Sequence, residues 1–381
     1  MNKRLGENMK KNIFIVVILI LIVAITITGC TNNVGTASSW PGFSVSEDMA
    51  VLSYGSQIYA INTQNGNRQW VFPAEAENGV MFYAPAEIKD GQVLVGDYAH
   101  TLYSVNGDNG ILSWKFEGAK KRYVASVLAK DGMIYAPNAD HTLYVLDSNG
   151  LLNWEFKTEG PNWSKPVADD QYVYLASMDH HLYALQLNYD VADLSTDDNG
   201  SKILVDEPVW STDLETAVVS DPLLADGFLY VGTIDGKLFK IDVANGAIEW
   251  TFEGDTKIKS IWTTPLIVDG MLYFGTEDGY IYALDIENGE AAWANPTATN
   301  SQIVASGVAL NGTVGFGTIA GNLVILDKNQ ATSPSIIRDG GIYTTPIFQD
   351  GKLYLVMVGG DNLVYALDEN GREYWAFSSK E

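Results

Sequence analysis

The chain has 381 residues, with 23 basic and 47 acidic side chains and a formal net charge of −24 at pH 7. This excess of acid argues against a protein that binds nucleic acid or a broad anionic lipid surface, because both need clustered lysine and arginine. The only cysteine is Cys30, so no disulfide can form within the chain.

The first 29 residues predict a signal peptide. Four basic residues precede an apolar run from Ile13 to Ile27, and Thr28-Gly29-Cys30 closes the run. The arrangement resembles a bacterial lipoprotein signal, which implies cleavage before Cys30 and acylation of that cysteine. An uncleaved transmembrane anchor is the alternative, but the run is shorter than the roughly 20 residues that span a bilayer. Met9 is an alternative start to Met1.

Residues 30–39 are small and polar, and they predict a flexible tether from the acylated Cys30. Two or more acyl chains hold a protein stably at a membrane. We therefore expect an exported protein, anchored to the cell membrane or to the periplasmic side of an outer membrane.

Residues 40–381 contain eight copies of one pattern and predict a single domain. The pattern is apolar, aromatic, small, apolar, Asp or Asn, then Asn-Gly, then Trp, as in Ile58–Asn62, Asn65-Gly66 and Trp70. The period is near 40 residues, which is typical of repeat architectures. Seven copies end in a tryptophan: Trp70, Trp114, Trp154, Trp210, Trp250, Trp293 and Trp375.

Each copy carries four short segments of strand character, and in six copies a pair such as Asp269-Gly270 separates the first two. Such pairs favour two-residue hairpins. Each copy is therefore predicted to form a four-stranded antiparallel sheet. A lone sheet cannot bury both faces, so the sheets must stack. The sequence predicts an all-β, eight-bladed β-propeller.

The run from Tyr282 to Trp293 resembles the Ala-x-Asp-x-x-x-Gly-x-x-x-Trp signature of pyrroloquinoline-quinone-type propeller repeats. The resemblance covers about residues 40 to 377. It implies that each tryptophan docks against the next blade. The seventh copy has no tryptophan, so its outer strand departs from the family pattern.

The sequence contains no motif for nucleophilic, phosphate-binding or redox chemistry. The alcohol-dehydrogenase branch of the family uses adjacent cysteines against its quinone, and this chain has only one cysteine. We therefore expect neither catalysis nor a cofactor.

Three histidines, His100, His141 and His180, occupy one repeat position in the turn between the second and third strands. Later blades have glycine there, which predicts a positive φ. A metal site across three blades, with His181 as a fourth ligand, is the alternative. Equivalent positions on neighbouring blades are too far apart for one zinc ion, so no metal is expected.

The fourth blade contains an insertion from Leu187 to Glu207 that is rich in aspartate. A calcium loop needs a fixed Asp-x-Asp-x-Asp-Gly spacing, which is absent. We expect a solvated loop.

The blade-to-blade connections share one rim of the predicted ring, and most turn carboxylates fall on the other. Aromatic residues stand shortly before the innermost strands on the connection rim, and such side chains favour binding. The predicted partner-binding set is Phe82, Tyr83, Tyr123, Trp163, Trp262 and Tyr343, with Lys121 and Arg122.

The sequence thus predicts a monomeric, non-catalytic, lipid-anchored scaffold that binds a protein or peptide partner at the cell envelope. Among lipoproteins of this fold it is similar to the accessory subunits of outer-membrane barrel assembly, a role that implies a host with two membranes. One alternative is a lipoprotein that binds a solute or polysaccharide. The other is a quinone-dependent dehydrogenase.

Overall fold

The computed structural model describes residues 40–197, 199–254 and 258–379. The predicted signal peptide, Cys30 and the tether lie outside these ranges. The described residues form strands joined by turns, with one short 3-10 turn at Val191–Asp193. None of the helical structure in the described ranges has the length and hydropathy needed to cross a bilayer.

Eight sheets follow one another along the chain, and each contains four antiparallel strands in chain order. Blades 1 and 2 comprise β1 (Gly42–Ser46), β2 (Met49–Tyr54), β3 (Gln57–Asn62), β4 (Arg68–Phe72), β5 (Glu87–Lys89), β6 (Gln92–Gly96), β7 (Leu102–Asn106) and β8 (Leu112–Phe116). Blades 3 and 4, with the insertion, comprise β9 (Leu128–Lys130), β10 (Met133–Pro137), β11 (Thr142–Asp147), β12 (Leu152–Lys157), β13 (Val167–Ala168), β14 (Tyr172–Ala176), β15 (His181–Gln186), β16 (Ser195–Thr196), β17 (Lys202–Val205) and β18 (Trp210–Asp213).

The second half of the ring repeats the arrangement. Blades 5 and 6 comprise β19 (Leu223–Ala225), β20 (Phe228–Gly232), β21 (Leu238–Asp242), β22 (Ile248–Phe252), β23 (Leu266–Val268), β24 (Met271–Gly275), β25 (Tyr280–Asp285) and β26 (Thr297–Ala298). Blades 7 and 8 comprise β27 (Val308–Leu310), β28 (Thr313–Gly317), β29 (Asn322–Leu326), β30 (Ile336–Ile337), β31 (Gly341–Ile342), β32 (Ile347–Gln349), β33 (Lys352–Val358), β34 (Val364–Leu367) and β35 (Glu373–Phe377). The predicted eight-bladed propeller of four-stranded blades is confirmed.

In six of the eight blades, the turn between the first two strands has a positive φ at both central residues. In blade 2 these are Asp90 at 50° and Gly91 at 73°, and the other Asp-Gly and Asn-Gly pairs repeat the geometry. Both angles match the turn type that follows the twist of a hairpin.

The hydrophobic core is divided among the blade junctions. Val51 and Ile58 of blade 1 lie in one cluster with Val93 and Val95 of blade 2. A corresponding cluster joins blade 8 to blade 1 and closes the ring. Each blade thus buries both faces against its neighbours, as the repeat required.

A tryptophan on the outer strand joins most blades to the next one. The indole N–H of Trp375 donates to the carbonyl of Thr63 in blade 1 at 3.0 Å. Its ring lies so close to Gly66 (φ 75°) that a Cβ there would be 2.8 Å from it. Glycine is therefore required at this turn both for the backbone angle and for the space. The same indole-to-carbonyl bond is made by Trp70, Trp114, Trp210, Trp250 and Trp293.

Trp154 differs from the other six because the insertion lies where its acceptor would be. Its side chain is fully buried, and its indole nitrogen has no hydrogen-bond partner within the described part of the chain. Instead, the ring of Tyr189 from the insertion packs against it at a centroid distance of 5.1 Å.

The insertion is not the solvated loop that we expected. Its strands β16 and β17 form a hairpin, and β17 pairs in parallel with β12, so the sheet of blade 3 has six strands. Leu194 and Val205 are buried in the same cluster as Trp154. The expectation was wrong because these apolar side chains outweigh the polar composition around them.

Blade 7 closes its junction without a tryptophan. Ile336 is buried and packs on Gly371 of blade 8, where an added Cβ would lie 2.9 Å from Ile336 Cγ1. The guanidinium of Arg338 donates to the carbonyl of the same Gly371 at 2.7 Å. The isoleucine thus takes the place of the indole ring, and the arginine takes the place of its N–H.

Candidate functional site

The innermost strands surround a central channel that contains a cavity of about 480 Å³. Small and aliphatic side chains form most of its wall, and four aromatic and three charged residues complete it. The aromatic residues of the wall are Trp40, Phe43, Trp163 and Trp262, and the charged residues are Glu87, Lys165 and Asp221. The volume lies within the range of small-ligand sites in proteins.

Trp40 lies at the mouth of this channel. Its ring stacks on Tyr343 at a centroid distance of 5.8 Å and meets Trp262 edge-on at the same distance. The hydroxyl of Thr344 donates to the carbonyl of Pro41, which fixes the backbone beside Trp40. The first described residue therefore belongs to the aromatic rim.

A second aromatic group lies on the same rim around Arg122. The guanidinium carbon of Arg122 is 5.3 Å from the ring centroid of Tyr98 and 5.7 Å from that of Trp163. Tyr83 packs edge-on against Tyr98 at 5.1 Å. Cation–π contacts of this kind hold an exposed arginine in one orientation.

The indole nitrogens of Trp163 and Trp262 are buried and have no hydrogen-bond partner among the residues that the structure describes. An unpaired buried donor costs about 1–3 kcal/mol. Rearrangement of these rings around a bound molecule can therefore recover free energy.

Three charged side chains from three blades meet inside the channel. The ammonium of Lys165 lies 2.7 Å from Glu87 Oε2, and both side chains are partly buried. The backbone N–H of Lys165 donates to Asp221 Oδ1 at 2.6 Å. Burial raises the pKa of Asp221, although the N–H and the charge of Lys165 oppose this effect.

Two members of the predicted partner-binding set are not on the surface. Phe82 and Tyr123 are both fully buried. Phe82 packs between Phe72 and Tyr103, and Tyr123 lies in the cluster between blades 2 and 3. The prediction is wrong for these two residues because they seal blade junctions beneath the connections.

The other six predicted residues have solvent exposure. Lys121 and Arg122 are exposed, whereas Tyr83, Trp163, Trp262 and Tyr343 are partly exposed.

The three equivalent histidines have the predicted left-handed backbone, with φ values of 80° at His100, 73° at His141 and 79° at His180. His181 packs instead on Tyr183, and its Nδ1 is 3.0 Å from the carbonyl oxygen of Asp179. Within the described ranges, no group of three or more His, Cys, Asp or Glu side chains has the arrangement of a metal site.

The sequence did not identify Trp40 and Tyr98 as residues of the site. It also did not predict that Glu87 and Asp221 lie close together. Trp40 precedes the first strand, so the repeat pattern gives it no position. Tyr98 follows β6 at a position where blades 3 to 7 carry alanine, methionine, isoleucine or glutamate. Glu87 and Asp221 lie 134 positions apart in sequence, and only the closed ring brings both to Lys165.

Comparisons with known proteins agree with this geometry. A family model described as outer membrane protein assembly factor BamB matches residues 34–184 and 203–333, leaving out much of the insertion. The crystal structure of BamB from Moraxella catarrhalis matches with a TM-score of 0.68 and 17% identity, covering 83% of this chain and 92% of that chain. The computationally designed Ika8 protein matches with a TM-score of 0.69 and 16% identity, covering 87% and 96%. At these identities the two structures show the fold alone. No curated protein sequence matches the chain significantly.

Proposed function

Because the chain belongs to the family of the outer membrane protein assembly factor BamB, we propose that it is a non-catalytic scaffold in outer-membrane protein assembly. Its partner is a protein that docks on the aromatic rim. We define this rim by Trp40, Tyr83, Tyr98, Arg122, Trp163, Trp262 and Tyr343. This cluster of aromatic side chains is the observation that supports the proposal.

Large aromatic rings and arginine carry much of the binding energy in protein interfaces. On the rim these side chains are partly exposed and held by their contacts with one another, so little side-chain entropy is lost on docking. The neighbouring side chains Met81 and Ile234 are 36% and 38% exposed, which extends the apolar surface.

The opposite rim has a different character. Four acidic side chains and one basic side chain line a single groove there, between blades 1 and 2: Glu47, Asp48, Asp90, Asp108 and Lys89. Negative charge of this density keeps that rim away from anionic surfaces. The two rims are therefore suited to different neighbours, and only one is suited to burial against a protein.

Photocrosslinking in the native host tests the docking surface. A photoreactive amino acid replaces exposed Lys121 on the aromatic rim or, as the matched control, exposed Asp108 on the acidic rim. We expect a specific adduct with a protein of the outer-membrane assembly pathway from position 121 alone. Adducts from position 108 alone would contradict the proposal, because they would place the docking surface on the acidic rim.

The triple replacement of Trp163, Trp262 and Tyr343 by Ala provides a second test. We expect it to abolish co-purification of the crosslinked protein while circular dichroism shows an unchanged melting temperature. Unchanged co-purification would contradict the role of the rim.

We further propose that the protein is exported and anchored through acylated Cys30. The lipobox at the end of the apolar run supports this. Replacing Cys30 by Ala should abolish incorporation of labelled palmitate and release the protein from the membrane fraction. Membrane retention of the unlabelled variant would instead indicate a transmembrane anchor.

A further inference from the structure

The central channel has the features of a ligand site in addition to its aromatic mouth. Its cavity of about 480 Å³ combines an apolar wall with a few convergent polar groups, as small-molecule sites do. The polar groups come from blades 2, 4 and 5, so the fold holds them in place. A docking protein on the rim does not need them, because they lie on inner strands and their connections.

The charges of the cavity favour an uncharged ligand. An anion would approach the carboxylates of Glu87 and Asp221, and a cation would approach the ammonium of Lys165. Like charges at short range are unfavourable when partly removed from water. A neutral molecule avoids both penalties.

The same groups require a ligand that both donates and accepts hydrogen bonds. The ammonium of Lys165 only donates, and an ionised carboxylate only accepts. A hydroxyl group does both. Several hydroxyl groups on one small scaffold would therefore satisfy this set of charges.

Trp40, Trp163 and Trp262 supply the apolar contacts for such a ligand. An indole presents a flat apolar face at little cost in entropy. The C–H face of a sugar ring packs on such a surface while its hydroxyls turn toward polar groups.

We propose that the channel binds a short, uncharged oligosaccharide. Lys165 and Asp221 hydrogen-bond to its hydroxyls, Glu87 orients the Lys165 ammonium, and the three tryptophans pack on the sugar rings. This function is additional to protein docking and does not depend on it.

The test is calorimetric titration of the full chain in a detergent without a sugar headgroup, using the neutral trisaccharides triacetylchitotriose, maltotriose and cellotriose. Concentrations up to about 10 mM detect weak binding. We expect one of the three to bind and to change the intrinsic tryptophan fluorescence. Lys165→Met and Asp221→Asn should each weaken that affinity at least about tenfold, through loss of a hydrogen bond to a charged group.

Lys89→Met is the matched control, because Lys89 lies at the exposed end of β5 and does not line the cavity. It should leave the affinity unchanged. Circular dichroism checks that each variant folds, and the pair Glu87→Gln with Lys165→Met replaces the single lysine variant if that one does not.

Absence of binding by all three sugars would overturn the proposal. So would an affinity that Lys165→Met and Asp221→Asn leave unchanged. Capture of the protein partner by Lys165→Met is measured in parallel and should persist, so a failure of sugar binding is distinguishable from a failure of the docking surface.

Discussion

Six junctions between blades share a hydrogen bond from an indole to a carbonyl, and two junctions form without it. At the Trp154 junction the ring is still present, but the insertion replaces its acceptor with the ring of Tyr189. At the Ile336 junction the ring itself is replaced. An apolar side chain packed on the neighbouring blade is therefore common to all eight junctions, and the hydrogen bond is an addition to it.

The largest effect should come from the junction that closes the ring. Trp375→Ala removes a buried ring and its bond to Thr63. We expect the free energy of unfolding to fall by about 3–5 kcal/mol, as for other buried aromatic residues. Urea denaturation measures it. Tyr374→Ala is the control, because Tyr374 is 58% exposed and should change stability by less than about 0.5 kcal/mol. Equal effects would show that the junction does not depend on the ring.

The glycine under each ring offers a second test of the contact. Gly66 and Gly91 have φ values of 75° and 73°, but only Gly66 faces an indole ring. Gly91→Ala should cost about 1–2 kcal/mol, from the left-handed backbone alone. Gly66→Ala should cost more than Gly91→Ala by about 1–3 kcal/mol, because the ring of Trp375 must also move. Denaturation midpoints of the two variants give the difference, and equal midpoints would mean that the contact is loose.

Phenylalanine separates the ring from its hydrogen bond. Trp70→Phe loses the bond from the indole nitrogen to the Gly107 carbonyl, whereas Trp154→Phe has no such bond to lose. We expect Trp70→Phe to be more destabilising by about 1 kcal/mol, the net value of one hydrogen bond. Thermal melts of both variants measure it. The reverse order would show that Trp154 has an acceptor in solution.

The smallest effect concerns the irregular junction and depends on pH. Burial raises the pKa of Glu155, which lies beside β17, although Lys157 opposes the shift. A carboxyl group whose pKa is raised by folding destabilises the folded state at pH values above that raised pKa, and the effect disappears as the pH falls below the unfolded value. Glu155→Gln should therefore raise the melting temperature at pH 7 and have little effect at pH 4. A lower melting temperature of Glu155→Gln at pH 7 would contradict this. It would show that the ion pair with Lys157 stabilises the fold by more than the burial of the Glu155 carboxylate destabilises it.

Most of the architecture could be predicted because it is repeated. Eight copies of one pattern identify the blades, and the Asp-Gly and Asn-Gly pairs identify the first hairpins with their positive φ values. The identity of the aromatic rim was only partly predictable. Phe82 and Tyr83 are neighbours in sequence, yet one seals a junction and the other lies on the rim. Side chains alternate between the core and the solvent in a regular strand, but not in an irregular connection. The sequence of such a connection therefore does not show which side chain is buried.

The departures from the repeat were the least predictable. The composition of the insertion indicated a loop, but pairing with the free edge of β12 gives its backbone hydrogen bonds that a loop would lack. The channel charges were unpredictable for another reason. Lys165 lies in a blade-to-blade connection, and only closure of the ring places it between Glu87 and Asp221.

Apart from the β16–β17 hairpin, which the blade 4 stretch adds to blade 3, every blade is made from its own stretch of chain, and side-chain contacts join the last blade to the first. Among the described residues no strand is shared across that join, and it lacks the peptide connection that the other joins have. The position at which the polypeptide starts is therefore not built into the architecture. A circular permutant that begins in any other inter-blade connection, except the one between blades 3 and 4, would keep each of the eight sheets whole.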